Sequence, residues 1–174
     1  MRRIVFVLVA VIALAGVVSY MAPASGQAVG EATQIFGGKI PPGYRDWKLI
    51  SVAHEAGSLD DLRAILGNDV AIKAYRERKL PFPDGTIIAR LAWSYVPSEE
   101  NDKVFGHPQS FAPGPPKEGV QFMVKDSRKY ASTNGWGFGQ FYDGKPVDEA
   151  ALKGCSSCHE PAKASDFVYT RYAP

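Results

Sequence analysis

The chain has 174 residues, 45% of them apolar and 22% charged, with a formal net charge of +2. Arg2 and Arg3 supply both units, so the rest of the chain is near neutral, which argues against a nucleic-acid or membrane-surface binder built on a basic excess. Thirteen prolines and 17 glycines spread through the length do not suit a four-helix bundle.

In chain order, Arg2-Arg3, the unbroken apolar and small run Ile4 to Val18 and the small residues of Ala22-Pro23-Ala24 predict a signal peptide over 1–24. The run is shorter than the roughly 20 residues that a membrane span requires; an uncleaved anchor is the competing reading. Either places the domain outside the cytoplasm, and the periplasm is the expected compartment. Residues 25–40, small and glycine-rich, read as a flexible linker, with the folded domain over 41–174.

Trp47 to Ala53 alternates weakly and suits a strand, whereas Leu62 to Leu66 is too short to decide between strand and helix. Asn68 and Asp69 are good capping residues for a short helix, Val70 to Glu77, which Pro81 and Pro83 stop. Asp84-Gly85 signals a turn into the clearest strand, Thr86 to Val96. Its odd face, Ile87, Ala89, Leu91, Trp93 and Tyr95, is expected in the core, and Arg90 on the even face is expected to point away from it. Pro97 to Gly119 holds five prolines and no period, and reads as a long loop. Val120 to Lys125 and Trp136 to Tyr142 read as strands; Gly135, Gly137 and Gly139 suggest a bulge or the close approach of something flat. Glu149 to Lys153 can start a helix. The expected class is α+β, mainly antiparallel sheet with short helices.

The only cysteines lie in Cys155-Ser156-Ser157-Cys158-His159, the C-x-x-C-H pattern of haem c attachment. Two thiols a helical turn apart can add to the two vinyl groups of one porphyrin, and the adjacent imidazole is carried to the iron. The alternatives fit less well. A thioredoxin-like pair sits early in a βαβ unit, a structural zinc site takes four ligands from a chain with two cysteines and three histidines, and a bare disulfide leaves His159 without a role. One haem c per chain, attached near the C-terminus through Cys155 and Cys158 with His159 on the metal, is the expected cofactor.

The 15 residues after His159 contain no Met or His, so a sixth ligand would come from upstream: His54, His107 or Met123. His107 is expected at the surface, Met123 as core filling, and His54 at a strand end. The expectation is five-coordinate iron with one open side, suited to gas binding or catalysis. Phe82, Trp136, Phe138 and Phe141 are aromatic candidates for haem neighbours or for ordinary core.

Three stretches resemble the cytochrome P-460 family, including its c′-beta relatives: Pro42-Gly43-Tyr44-Arg45-Asp46-Trp47, Asp84-Gly85-Thr86 with the strand through Arg90, and the cysteine motif with Asp166-Phe167-Val168-Tyr169-Thr170-Arg171-Tyr172-Ala173-Pro174. The resemblance implies a mainly antiparallel β domain, a homodimer and a five-coordinate haem c. In the family's enzymes a lysine on the strand after Asp-Gly-Thr is linked to the porphyrin, and that modified haem oxidises hydroxylamine. Here the matching position holds Arg90, which stays protonated and has no free amine. The family's distal glutamate aligns with Gln121, an amide that cannot act as a general base. Arg63 aligns with an arginine near the pocket; a solvated surface charge is the alternative. The c′-beta relatives bind nitric oxide.

Arg90, Gln121 and Arg63 are thus the distal-pocket candidates. Facing the haem, Arg90 would donate to an iron-bound ligand, and a fixed cation would favour an anionic one such as peroxide or nitroxyl; otherwise it is a surface arginine or a propionate partner. The leading function is a periplasmic haem c protein binding a small diatomic or nitrogenous ligand, nitric oxide foremost, with a periplasmic redox partner. The alternatives are a hydroxylamine or nitric oxide oxidising or peroxidase-like enzyme, and a simple electron carrier.

Overall fold

A computed structural model describes residues 35–173; the expected signal peptide and the outer part of the expected linker lie outside the described residues. Six strands, each pairing antiparallel with the next, form one sheet in sequence order: β1 (Lys48–Glu55), β2 (Asp61–Gly67), β3 (Ile87–Pro97), β4 (Phe111–Lys125), β5 (Trp136–Tyr142) and β6 (Lys145–Pro146). Four short helices accompany it: α1 (Asp69–Arg76), α2 (Glu99–Phe105), α3 (Glu149–Leu152) and α4 (Cys155–His159). The α+β reading holds, and Leu62 to Leu66 resolves as strand.

Helix α1 starts where its cap dictates. The Asn68 side-chain oxygen accepts from the Ala71 amide at 3.0 Å and from the Ile87 amide at 3.1 Å, and its Nδ2 donates to the Gly85 carbonyl at 2.8 Å. One side chain therefore closes the helix end and ties it to the turn that launches β3. Ala71, Ile72 and Ala74 then bury the helix against the sheet.

The sheet has a core on each face, and here the single-faced reading of β3 needs correction. Ala89 and Leu91 pack with Leu66, Val120, Phe122 and Phe141 on one face. Ile88 packs with Ile50, Ile65, Phe82 and Trp136 on the other, under α1 and the C-terminal segment. An antiparallel strand alternates apolar and polar cleanly only when one face is wet; β3 is covered on both, and Ile88 and Ala92 on its even face are the trace of that. Arg90 lies within this second face rather than outside the core.

The expected loop 97–119 is also corrected. It contains α2 and the first half of β4, which pairs with β3 from Phe111 onward through two register shifts. From Phe111 to Gly119 the strand pairs only with β3, since pairing with β5 starts at Val120. Proline lacks a ladder donor and is tolerated on such an open edge and at bulges. The residues hide a strand that their composition argues against.

Two further readings change. Residues 35–40 pack instead of forming linker: Ile35 is 1% exposed and sits against Gly139, where a Cβ would collide with it. The flat object at Gly137 is the Tyr130 ring, on the face away from α1, and the β4–β5 pairing is regular.

Candidate functional site

Strand alternation and register place Asp61, Arg63 and Ile65 of β2, Ile88, Arg90 and Ala92 of β3, Gln121, Met123 and Lys125 of β4, and Trp136, Phe138 and Gln140 of β5 on one face. Ile88, Met123 and Phe138 form one cross-strand row; Ile65, Arg90, Gln121 and Gln140 form the next. The cysteine motif meets this face. Helix α4 is a single turn, and the His159 ring lies 5.2 Å from the Phe138 ring and 5.4 Å from that of Tyr169, which donates from its hydroxyl to the Cys158 carbonyl at 2.7 Å.

His159 Nδ1 is 2.7 Å from the carbonyl oxygen of Phe167. A carbonyl only accepts, so Nδ1 carries the proton, and the neutral imidazole has its lone pair on Nε2. This is the tautomer a metal-ligating histidine requires, oriented by an outer partner. Cys155 and Cys158 are unpaired and one helical turn apart, half-buried and exposed respectively. Burial, with the neighbouring Cys158 adding to it, pushes the Cys155 thiol up from its ordinary value; a thioredoxin-type nucleophile needs the reverse. Among the described residues, no group of three or more His, Cys, Asp or Glu side chains could hold a metal ion by itself. One imidazole and two thiols fit a porphyrin, which brings four nitrogens of its own, and do not fit a zinc site.

The three distal candidates form one cluster: Asp61 joins Arg63 to Arg90, and Arg90 reaches Gln121. Asp61, 1% exposed, accepts from Arg63 through both carboxylate oxygens, at 2.8 and 2.9 Å, and from Arg90 Nη2 at 2.5 Å. Arg90 Nη1 donates to Gln121 Oε1 at 2.7 Å and to Glu118 Oε2 at 3.0 Å; Glu55 stands 3.5 Å from Arg63. Burial by itself would raise the Asp61 pKa, but the Arg63 hydrogen bond and the charges of Arg90 and Arg63 outweigh it and hold the carboxyl below its ordinary value. Arg63 is a paired, largely buried residue rather than a solvated charge. Nor is Arg90 an isolated cation, since the two guanidiniums face three carboxylates. The Asp61-x-Arg63 spacing, which puts both side chains on one strand face, is the signal that could have revealed Asp61.

The other candidates separate. His54 pairs across from Leu62, on the opposite face, and stacks on Tyr95 at 4.2 Å. His107 is exposed, with Nε2 2.6 Å from Gln109 Oε1. Met123 is on the site face, packed against its core. Phe82 and Trp136 are buried beneath the same face, whereas Phe141 belongs to the opposite core and cannot neighbour His159.

No curated protein matches the chain. Residues 41–170 match the cytochrome P-460 family model, most of the chain and all of the elements just described from β1 to α4. With that match beside a C-x-x-C-H helix whose histidine is oriented for a metal, the chain belongs to the cytochrome P-460 family and is a c-type haem protein.

Proposed function

We propose that the chain is an exported, periplasmic mono-haem c protein that binds a small neutral ligand, nitric oxide foremost, at a five-coordinate iron. The haem is joined to Cys155 and Cys158, and His159 is the iron's one protein ligand. When bound, haem supplies the iron and its open coordination position; the chain's residues determine what that position meets. Arg2-Arg3 with the apolar run after them supports export, and the family resemblance supports a homodimer; a periplasmic redox partner completes the proposal.

The saturation of Arg90 carries the choice of ligand. Its guanidinium is spent on Asp61, Glu118 and Gln121. A cation so compensated offers little to an anionic ligand, because the field of the nearby carboxylates cancels its own. Proton-transfer catalysis is disfavoured by the same cluster. Gln121 has no titratable proton, and both oxygens of Asp61 are occupied by arginines that depress its basicity. Arg90 also has no amine with which to form the enzymes' extra porphyrin link. The pattern is that of a binding protein more than of a hydroxylamine oxidase. His54 lies on the opposite face and His107 is exposed with its ring against Gln109, which supports an open side.

Titrating the ferrous protein with nitric oxide, and separately supplying hydroxylamine with an electron acceptor, tests this reading. The expected outcome is a saturable change in the Soret region at one nitric oxide per haem, with no steady hydroxylamine consumption. An unchanged spectrum with nitric oxide, or sustained turnover of hydroxylamine, would contradict it.

A further inference from the structure

The loop behind the histidine holds an ion pair that ligand binding does not require. Lys125 is 5% exposed, and its Nζ lies 2.8 Å from Asp166 Oδ1, 3.1 Å from the Asn134 carbonyl and 4.9 Å from the centre of the Trp136 ring. The second Asp166 oxygen accepts from the Phe82 amide at 2.8 Å, and the Asp166 carbonyl accepts from Trp136 Nε1 at 2.8 Å. Every polar group of Asp166 that can accept is thereby tied to the sheet or to the segment that leads into β3. Asp166 and Phe167 are both non-glycine residues at positive φ, 51° and 66°. Asp166 is the left-handed cap that ends the helical turn Glu160–Ser165, whereas Phe167 beside it is bulky, rarely adopts this region, and stays there only where the surroundings impose it. The product of this conformation is the direction of one carbonyl, that of Phe167, which receives His159 Nδ1.

We propose that the buried Lys125–Asp166 pair is a positioning device for His159: it holds residues 166 and 167 in their left-handed conformation, so that the Phe167 carbonyl fixes the imidazole's rotation and strengthens its donation to iron. The inference rests on the reading of His159 as the iron ligand. The physical link is ordinary outer-shell chemistry. A hydrogen bond from Nδ1–H to an acceptor gives the ring more imidazolate character, raises the basicity of Nε2 and favours the ferric state. Lys125 and Asp166 touch neither iron nor ligand; they act through the backbone between them and His159. A purely structural ion pair would share the distances but leave the iron indifferent to its removal.

The test uses the holoprotein and three variants: Asp166→Asn, Lys125→Gln, and the double variant carrying both. The double variant is the safeguard for folding, since neutralising a buried pair together leaves no unpaired charge behind. The iron–histidine stretching band of the ferrous protein and the reduction potential are read on folded, haem-loaded material. The expected result is a lower stretching frequency in each variant that folds. The ferric preference should weaken about tenfold, a rise of about 59 mV for one electron. Variants that load haem and melt earlier, yet keep the parent's frequency and potential, would reduce the pair to a stabilising contact and overturn the proposal. A parent protein with haem but no iron–histidine band would instead defeat the assignment of His159, a separate failure.

Discussion

Replacing Cys155 and Cys158 together by alanine is expected to abolish haem retention outright. The two residues are the chain's only cysteines, so no other thiol can take over attachment. The helix that carries them is a single turn, with Cys155 only half-buried and Cys158 exposed. Without thioethers, the porphyrin would be held by one imidazole against a sheet face whose apolar residues are already engaged with α1 and the C-terminal segment. The check is the intact mass of protein matured in a host competent for haem attachment. The parent should exceed its polypeptide mass by one haem, each single variant should keep the haem by one bond with lowered yield, and the double variant should have the bare polypeptide mass. Covalent haem on the double variant would contradict the assignment.

Asp61→Ala is expected to be strongly destabilising. The carboxylate is the shared partner of Arg63 and Arg90, whose side chains are largely buried. Removing it leaves Arg63 with only the 3.5 Å contact to the partly exposed Glu55, and Arg90 with Glu118 and Gln121 but without its buried partner. Breaking a buried pair in this one-sided way costs about 3–5 kcal/mol. The sign of the pH dependence follows from the depressed carboxyl. An acid whose folded value lies below its unfolded value, here 3.8, contributes fully above that value and loses the contribution as pH falls through the folded one. Denaturant unfolding should therefore show a large gap between parent and Asp61→Ala at neutral pH, closing only below about pH 4. A gap under 1 kcal/mol at neutral pH would mean that Glu55, Glu118 and Gln121 suffice to compensate Arg63 and Arg90.

Much of the sheet could be read from its residues, because local chemistry there agreed with the tertiary outcome. Trp136 to Tyr142 is a strand with those bounds, Asn68 caps the helix that follows it, and the turn at Asp84-Gly85 launches β3. What could not be read depended on partners distant in sequence. The first half of β4 looks like loop because its prolines are permissible only where no second strand needs their donors, a fact set by where β5 stops. Ile35 looks like linker because its burial depends on Gly139, a hundred residues later. The candidate site divides the same way. The attachment motif is local and was legible. Arg90, Gln121 and Arg63 were legible as a set only by resemblance, and their organiser, Asp61, was missed. Its contact with Arg90 runs diagonally along the face, since the directly opposed residue on β3 is Ser94. Glu118 is not legible from sequence because its neighbours, proline-rich and without a period, read as loop.

In the proposed reading, His159 is the iron's one protein ligand and the sheet leaves the remaining position open. The resonance Raman spectrum of the ferrous protein, recorded before any ligand is added, addresses this most directly. High-spin, five-coordinate marker bands are expected, together with an iron–histidine stretch that disappears in His159→Ala. A low-spin, six-coordinate ferrous spectrum would mean that a second side chain, Met123 being the candidate on the site face, occupies the position left for nitric oxide, which would contradict an open iron.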